Sequence, residues 1–292
     1  MRTVEIAYRY ETKDAPVRPR PADAAAALLR LKDGNRAFAE LLNSVKDDGN
    51  LVRGVIQVDP ADLGLSLDAT GAPLQRPFAA VLGCSDARVP LELIFNEGPN
   101  DLFVIRVAGN GLGSDVLGSL KFAVERLGGS LKLVVVLGHS GCGAVSAAVD
   151  VFLSPGHYLP LANRPSLREI LDRLLLVVHA SARKLVAAFG PDIVRRGGYR
   201  RALIETSIVT NAALAAYSVQ QEIGANAQSA LRAAYGVYLL ETREVWTPSP
   251  GHPDGAGLAP APVDLAGFET LGDAMVKSSR ITALLAAEPE KD

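Results

Sequence analysis

The sequence predicts an α/β protein: a mostly parallel central β-sheet flanked by helices, with an N-terminal helical arm and a C-terminal extension. Three observations predict it. Phe78 to Gly83 and Leu102 to Ile105 are short, continuous apolar runs, the pattern of strands buried on both faces, and Lys132 to Leu137, apolar from Leu133, reads as a third strand. Segments with apolar residues at helical spacing alternate with them, which is how helices come to cover a parallel sheet. Both cysteines of the chain stand where such a strand ends, and in open α/β sheets ligands bind at the carboxyl ends of strands.

The elements follow in order. Residues 1–21 form a polar lead-in, and Pro21-Ala22-Asp23 opens a helical pattern running to about Leu42. Residues 43–78 show little periodicity and carry Pro60, Gly64, Gly71 and Pro73, so an arm or loop is expected. After the first two buried strands, Ser114 to Leu127 reads as a helix stopped by Gly128-Gly129. The third strand leads through Gly138 into a helix from about Cys142 to Phe152. Two longer helices are expected near 166–188 and 200–223. Gly236 to Leu240 turns through Glu241-Thr242-Arg243 into Val245-Trp246, which predicts a hairpin. The domain is therefore placed at 22–246. Residues 247–263 hold five prolines and three glycines and read as a linker, and about 266–287 as one amphipathic helix, so that 247–292 form a linker and tail.

With 292 residues, 48% of them hydrophobic and 21% charged, the chain has ample material for a buried core. A net charge of −2 gives no general case for nucleic acid or an acidic membrane as partner. The apolar runs noted above fall well short of the ~20 residues of a spanning helix, and the N-terminus lacks the pattern of a signal peptide. A cytoplasmic protein without a membrane span is expected.

Two cysteines do not make a disulfide framework. Buried thiols, a redox pair or metal ligands remain, and the flanking residues bear on the choice. Cys84-Ser85-Asp86-Ala87-Arg88 follows the first strand, and His139-Ser140-Gly141-Cys142-Gly143 follows the third. Cysteine, histidine and cysteine from neighbouring strand ends could converge, and two thiolates with an imidazole suit a tetrahedral zinc ion. A packed thiol beside a turn histidine is the plainer alternative. Asp86 and Arg88 next to the first cysteine speak for chemistry.

Several stretches resemble the beta-class carbonic anhydrases. These are Cys84-Ser85-Asp86-Ala87-Arg88-Val89-Pro90, Gly138-His139-Ser140-Gly141-Cys142-Gly143-Ala144-Val145 and, between them, Leu93 to Pro99, Asp101 to Asn110 and Ser119 to Val124. The likeness is dense over about 75–150 and thinner over 22–45 and 200–246. It implies zinc (Zn2+) on Cys84, His139 and Cys142 with a fourth position for water. It implies a zinc lyase (carbonate dehydratase) that hydrates carbon dioxide reversibly to bicarbonate and a proton, with zinc hydroxide as nucleophile. Two thiolates cancel the charge of the ion, so a neighbouring acceptor should help hold hydroxide. Asp86 takes that role and Arg88 fixes it; alternatively Asp86 swings onto zinc as a fourth ligand in a closed state.

Gln75 matches a substrate-binding glutamine of one branch of the family, often supplied by a neighbouring subunit; an ordinary loop amide is the other reading. Gly143 stands at an expected helix start, where its N–H could meet an oxyanion. The resemblance further implies a homodimer or dimer-based homo-oligomer with the site at its interface. Val81 stands where members with an inhibitory bicarbonate pocket carry tryptophan, so no such pocket is expected and Arg106 is assigned to structure or the interface. Gly109 to Gly113 lacks the lysine and serine of a phosphate loop and reads as a tight turn. His157, His179 and His252 are weak candidates for proton relay. A carbon disulfide or carbonyl sulfide hydrolase, or a non-catalytic zinc protein, are the alternatives, and the tail is a possible contact for a protein partner.

Overall fold

The computed structural model describes residues 3–10, 18–45, 51–65, 71–161, 163–224 and 231–287. The first part of the chain gives β1 (Thr3–Arg9), α1 (Ala24–Asn43), β2 (Leu51–Gln57), β3 (Ala79–Gly83), α2 (Leu91–Ile94) and β4 (Leu102–Arg106). Next come α3 (Ser114–Leu127), β5 (Leu133–His139), α4 (Gly143–Leu153), α5 (Pro165–Phe189) and α6 (Tyr199–Gly224). The last are β6 (Arg232–Tyr238), β7 (Val245–Trp246), β8 (Ala259–Pro260), α7 (Leu265–Val276) and α8 (Ser279–Ala286).

The central sheet runs β4-β3-β5-β6, all parallel, and continues antiparallel into β7, with β8 pairing β6. Every residue of β3 and β5 is buried, as continuous apolar runs require. Side chains alternate between two cores. Ala80, Leu82, Val134 and Val136 face the helices from α3 onward. Ala79, Val81, Leu133, Val135 and Leu137 face α1 and α2. The register sets Gly83 beside Leu137, so the carboxyl ends of β3 and β5 emerge together.

Four expectations change. Residues 43–78 are not all loop: β2 pairs in parallel with β1, from Thr3 opposite Leu51 to Arg9 opposite Gln57. Strand pairing between segments so far apart leaves no local periodicity to read. The lead-in, of which 1–2 and 11–17 lie outside the described residues, is tied down as well. Arg18 and Arg30 both pair with the buried Glu97, and Arg20 pairs with Asp62.

Residues 247–263 are no linker. Thr247 N–H bonds the Gly255 carbonyl, Trp246 Nε1–H bonds the Pro253 carbonyl, and Ala259–Pro260 add to β6 as an edge strand, where proline is tolerated. The tail is two helices rather than one. Ser278 interrupts it and caps α8, its hydroxyl accepting from Ile281 N–H, and Leu271, Met275, Ile281 and Leu285 are buried in the main core.

Helix α6 is long and apolar enough, by length and composition, to cross a membrane, which the shorter runs did not suggest. Its apolar window is 78% buried inside the protein, so it serves here as the central core helix.

Candidate metal centre

Two loops build the site. The first leaves β3 at Gly83 and carries Cys84, Asp86 and Arg88. Arg106, at the end of the neighbouring β4, fixes its path by donating to the carbonyls of Cys84 (3.0 Å) and Asp86 (2.5 Å). The expectation that Arg106 serves structure is met by these bonds. Gly109, with φ of 64°, turns its N–H toward Cys84 Sγ at 3.4 Å. The left-handed conformation favours glycine there, so the Gly109–Gly113 stretch is a tight turn, and one that serves a sulfur.

The second loop leaves β5 at His139 and enters α4, of which Cys142 is the N-cap. The reversal is made at Gly141, with φ of 62°.

Cys84, His139 and Cys142 are all buried, and their ligand atoms lie within 4.8 Å of one another. The two sulfurs are 4.0 Å apart. A tetrahedral ion with Zn–S bonds of about 2.3 Å sets its sulfurs about 3.8 Å apart, so the spacing fits. His139 Nδ1 is paired with the Ser140 carbonyl at 3.0 Å, which fixes the proton on Nδ1 and leaves Nε2 as the lone-pair nitrogen. Nε2 is completely buried and has no hydrogen-bond partner. A buried, unpaired imidazole nitrogen aimed at two thiols costs free energy unless a ligand satisfies it. The donor set fits zinc.

The thiols respond to each other. The contact with Cys142 pulls Cys84 well below an ordinary thiol value, and the same contact with burial pushes Cys142 up.

Asp86 lies beside this cluster with Oδ2 at 3.8 Å from His139 Nε2. Arg88 grips it in a fork: Nε to Oδ1 at 2.9 Å, Nη2 to Oδ2 at 2.7 Å, and the Arg88 N–H to Oδ1 at 2.9 Å. These bonds hold the carboxyl far below the usual carboxylate range. The arrangement has three protein ligands converging, and the adjacent carboxylate is turned toward its arginine.

The remaining expected residues divide. Gly143 opens α4 and is exposed beside Cys142. Gln75 is exposed ahead of β3, at the opposite end of that strand from Cys84. A five-residue strand is about 17 Å long, so Gln75 does not reach the site of its own chain. His157, His179 and His252 are exposed, and His179 rests edge-on against Phe152.

Sequence reasoning missed the residues that hold the two loops from farther along the chain. Gly141 N–H donates to Glu205 Oε1 at 2.8 Å, and Ser140 Oγ donates to Glu241 Oε2 at 2.8 Å. Asn211, on α6, donates to the Gly109 carbonyl at 2.9 Å. Nothing in the motifs points to these partners. A buried glutamate in an apolar helix was the one available signal for Glu205.

Two thiols and an imidazole converging at the carboxyl edge of a parallel sheet, with a salt-bridged carboxylate alongside, form a group that could hold a metal ion. The chain belongs to the carbonic anhydrase family, in its beta class: the family model described as carbonic anhydrase matches residues 79–234. Carbonic anhydrase 2 of Mycobacterium tuberculosis is 51% identical over 103 residues, which cover 34% of this chain and 45% of that protein. A carbonic anhydrase of Mycolicibacterium smegmatis is 39% identical over 129 residues, covering 44% and 54%. The chain thus spans about half the length of the curated relatives it matches. Among solved structures, the beta-carbonic anhydrase CcaA overlaps with a TM-score of 0.49 at 22% identity, over 64% of this chain and 85% of that one. One of two tetrameric beta-carbonic anhydrases from Sordaria macrospora does so with a TM-score of 0.45 at 22% identity, over 59% and 80%.

Proposed function

We propose that the chain catalyses the reversible hydration of carbon dioxide to bicarbonate and a proton, with zinc held by Cys84, His139 and Cys142. The observation that carries the reading is the Asp86–Arg88 pair: a carboxylate fixed 3.8 Å from the orphaned His139 Nε2 and gripped by an arginine. A purely structural zinc site is closed by four protein ligands and has no use for a carboxylate held aside. Zinc, when bound, supplies the Lewis acidity that makes water a nucleophile near neutral pH.

The protein residues do the rest. His139 is held in one tautomer by the Ser140 carbonyl. Asp86 Oδ2 accepts a hydrogen bond from the attacking water and orients it, and Arg88 keeps Asp86 an acceptor by keeping it ionised. Gly143, at the positive end of α4, offers its N–H to the developing anion. Gln75 is assigned to substrate binding across an interface, because its own site is out of reach; this makes the working unit a homodimer or a dimer-based oligomer. A reducing cytoplasm suits a site that needs two free thiols.

Zinc content per chain measured beside the hydration rate, for wild type and Cys142→Ala, tests the reading. About one zinc and rapid hydration are expected for wild type, and neither for the variant. A wild type without zinc, or a variant as active as wild type, would sink it. A parallel sulfide-release assay on carbon disulfide and carbonyl sulfide should give the slower turnover.

A further inference from the structure

Arg280 sits in the first turn of α8, more than a hundred residues beyond the proposed metal ligands, yet it closes a chain of hydrogen bonds that ends on the two residues between His139 and Cys142. Its Nε donates to Glu205 Oε2 at 2.9 Å and its Nη2 to Glu241 Oε1 at 2.8 Å. Each carboxylate then spends its other oxygen on the ligand loop, Glu205 on Gly141 N–H and Glu241 on the Ser140 hydroxyl. The same hydroxyl accepts from Leu240 N–H at 3.0 Å. One guanidinium therefore orders two carboxylates, and the two carboxylates order both residues between His139 and Cys142. The group is half-buried, with the Arg280 side chain 20% exposed and that of Glu205 8%. It lines, with Arg88, a cavity of about 470 Å³.

Helix α8 is set closely enough to aim this side chain. Gly198 faces the Leu284 carbonyl so tightly that a Cβ there would overlap it. Ser279 anchors the helix start through both its N–H and its hydroxyl to Asp254 Oδ1 at 2.8 Å.

We propose that Arg280 is a positioning residue for the metal ligands, so that the C-terminal helix, through Glu205 and Glu241, sets how tightly His139 and Cys142 hold zinc. The proposal rests on the metal-site reading above, and its test separates the two. Charge and geometry predict opposite signs. Removing a nearby positive charge would by itself strengthen cation binding. Loosening the loop between two ligands weakens it, by about 10- to 100-fold for partners one step removed from a metal.

The measurement is zinc Kd by chelator competition on the full chain, beside the thiolate-to-metal and d–d bands of the cobalt form. Arg280→Ala should bind zinc several-fold more weakly, less than the ~10- to 100-fold of a partner bonded directly to a ligand, and shift the cobalt bands, and Arg280→Lys should recover part of the loss. Gly198→Ala, which displaces α8 without touching any charge, should weaken zinc in the same direction. Lys184→Ala breaks the tie of α7 to α5 through Glu269 and Asp273; it should lower Tm and leave zinc affinity unchanged. Zinc affinity within twofold of wild type, or tighter, in both Arg280→Ala and Gly198→Ala would overturn the proposal. If Arg280→Ala does not fold, Arg280→Lys and Glu241→Gln decide it by the same criterion. A wild type that binds no zinc would overturn the metal-site reading instead.

Discussion

The two loops that meet at the metal centre are held in opposite ways. The loop after β3 is fixed by its neighbours in sequence: Arg88 on Asp86, Arg106 on the carbonyls of Cys84 and Asp86, and Gly109 on Cys84 Sγ. All lie within 25 positions of Cys84. The loop after β5 is fixed by residues from the far end of the chain, Glu205, Glu241 and, behind them, Arg280. The first loop is thus largely a local motif, with Asn211 of α6 holding Gly109 from farther along the chain. The second borrows its support from α6, the β6–β7 turn and α8. The hydrogen bonds that hold the second loop are complete only when the last helix has docked.

The largest test of this asymmetry is to remove the borrowed support. Deleting residues 248–292 takes β8, α7 and α8 away and exposes what Leu271, Met275, Ile281 and Leu285 cover. Burying four such side chains is worth about 1.5–3 kcal/mol each, which together is comparable with the whole stability of a domain. The truncated chain is expected to be unfolded or aggregated, as judged by near-UV circular dichroism and size exclusion. A truncated chain that stays folded and binds zinc as tightly as the full one would show that the second loop needs no distant support.

Next in size is the chemistry of the first loop. Asp86→Asn keeps the shape and removes the carboxylate that Arg88 holds. Hydration kcat/KM should fall by about 100-fold or more while zinc content stays at the wild-type level, since Asp86 is not among the three converging ligands. Loss of zinc in this variant would instead make Asp86 part of the ligand set.

A smaller effect tests the partition itself. Arg106→Ala should speed hydrogen exchange in residues 84–88 and leave 139–142 unchanged. Arg280→Ala should do the reverse, starting with Gly141 N–H, whose acceptor is Glu205. Local opening responds to local contacts, and losing one charge-assisted bond is worth about 1.5–3 kcal/mol, or roughly a tenfold change in exchange or more. Equal acceleration of both loops by either variant would mean that they open as one unit.

The same asymmetry explains what the sequence disclosed. The apolar runs of β3 and β5 are legible because burial on both faces leaves no polar interruption, and Cys84, Asp86, Arg88, His139 and Cys142 are legible because each motif is contiguous. Glu205 and Arg280 are not. Each is an ordinary charged residue on a helix, and its role exists only once α6 and α8 are packed. The β1–β2 pair escaped for a related reason, since parallel pairing over more than 40 residues leaves no local trace. The folding of 247–263 was hidden by its prolines and glycines. Those residues mark turns as readily as they mark disorder, and here Gly257 with φ of 96° and Pro260 on an edge strand shape a return to β6.

The smallest effect is a pH dependence, and it isolates Glu241. Burial works to raise its pKa, but the hydrogen bonds from Arg280 and Ser140 outweigh it and the net shift is downward from 4.5. A carboxylate depressed in the folded state adds stability at pH above its unfolded value and loses it as pH falls through the folded one. Arg280→Ala removes the main cause of the depression, so the Tm gap between wild type and variant should be full near neutrality and close progressively below about pH 4.5. The side chain of Glu241 is 54% exposed, which holds this contribution to about 1 kcal/mol at most, or roughly 2–4 °C. With Glu241→Gln in both members of the comparison, the gap between the Glu241→Gln single variant and the Glu241→Gln/Arg280→Ala double variant should lose this pH dependence and keep the remainder. A gap that persists undiminished into acid would show that Glu241 is not the titrating member, and that Arg280 acts on the second loop through Glu205 alone.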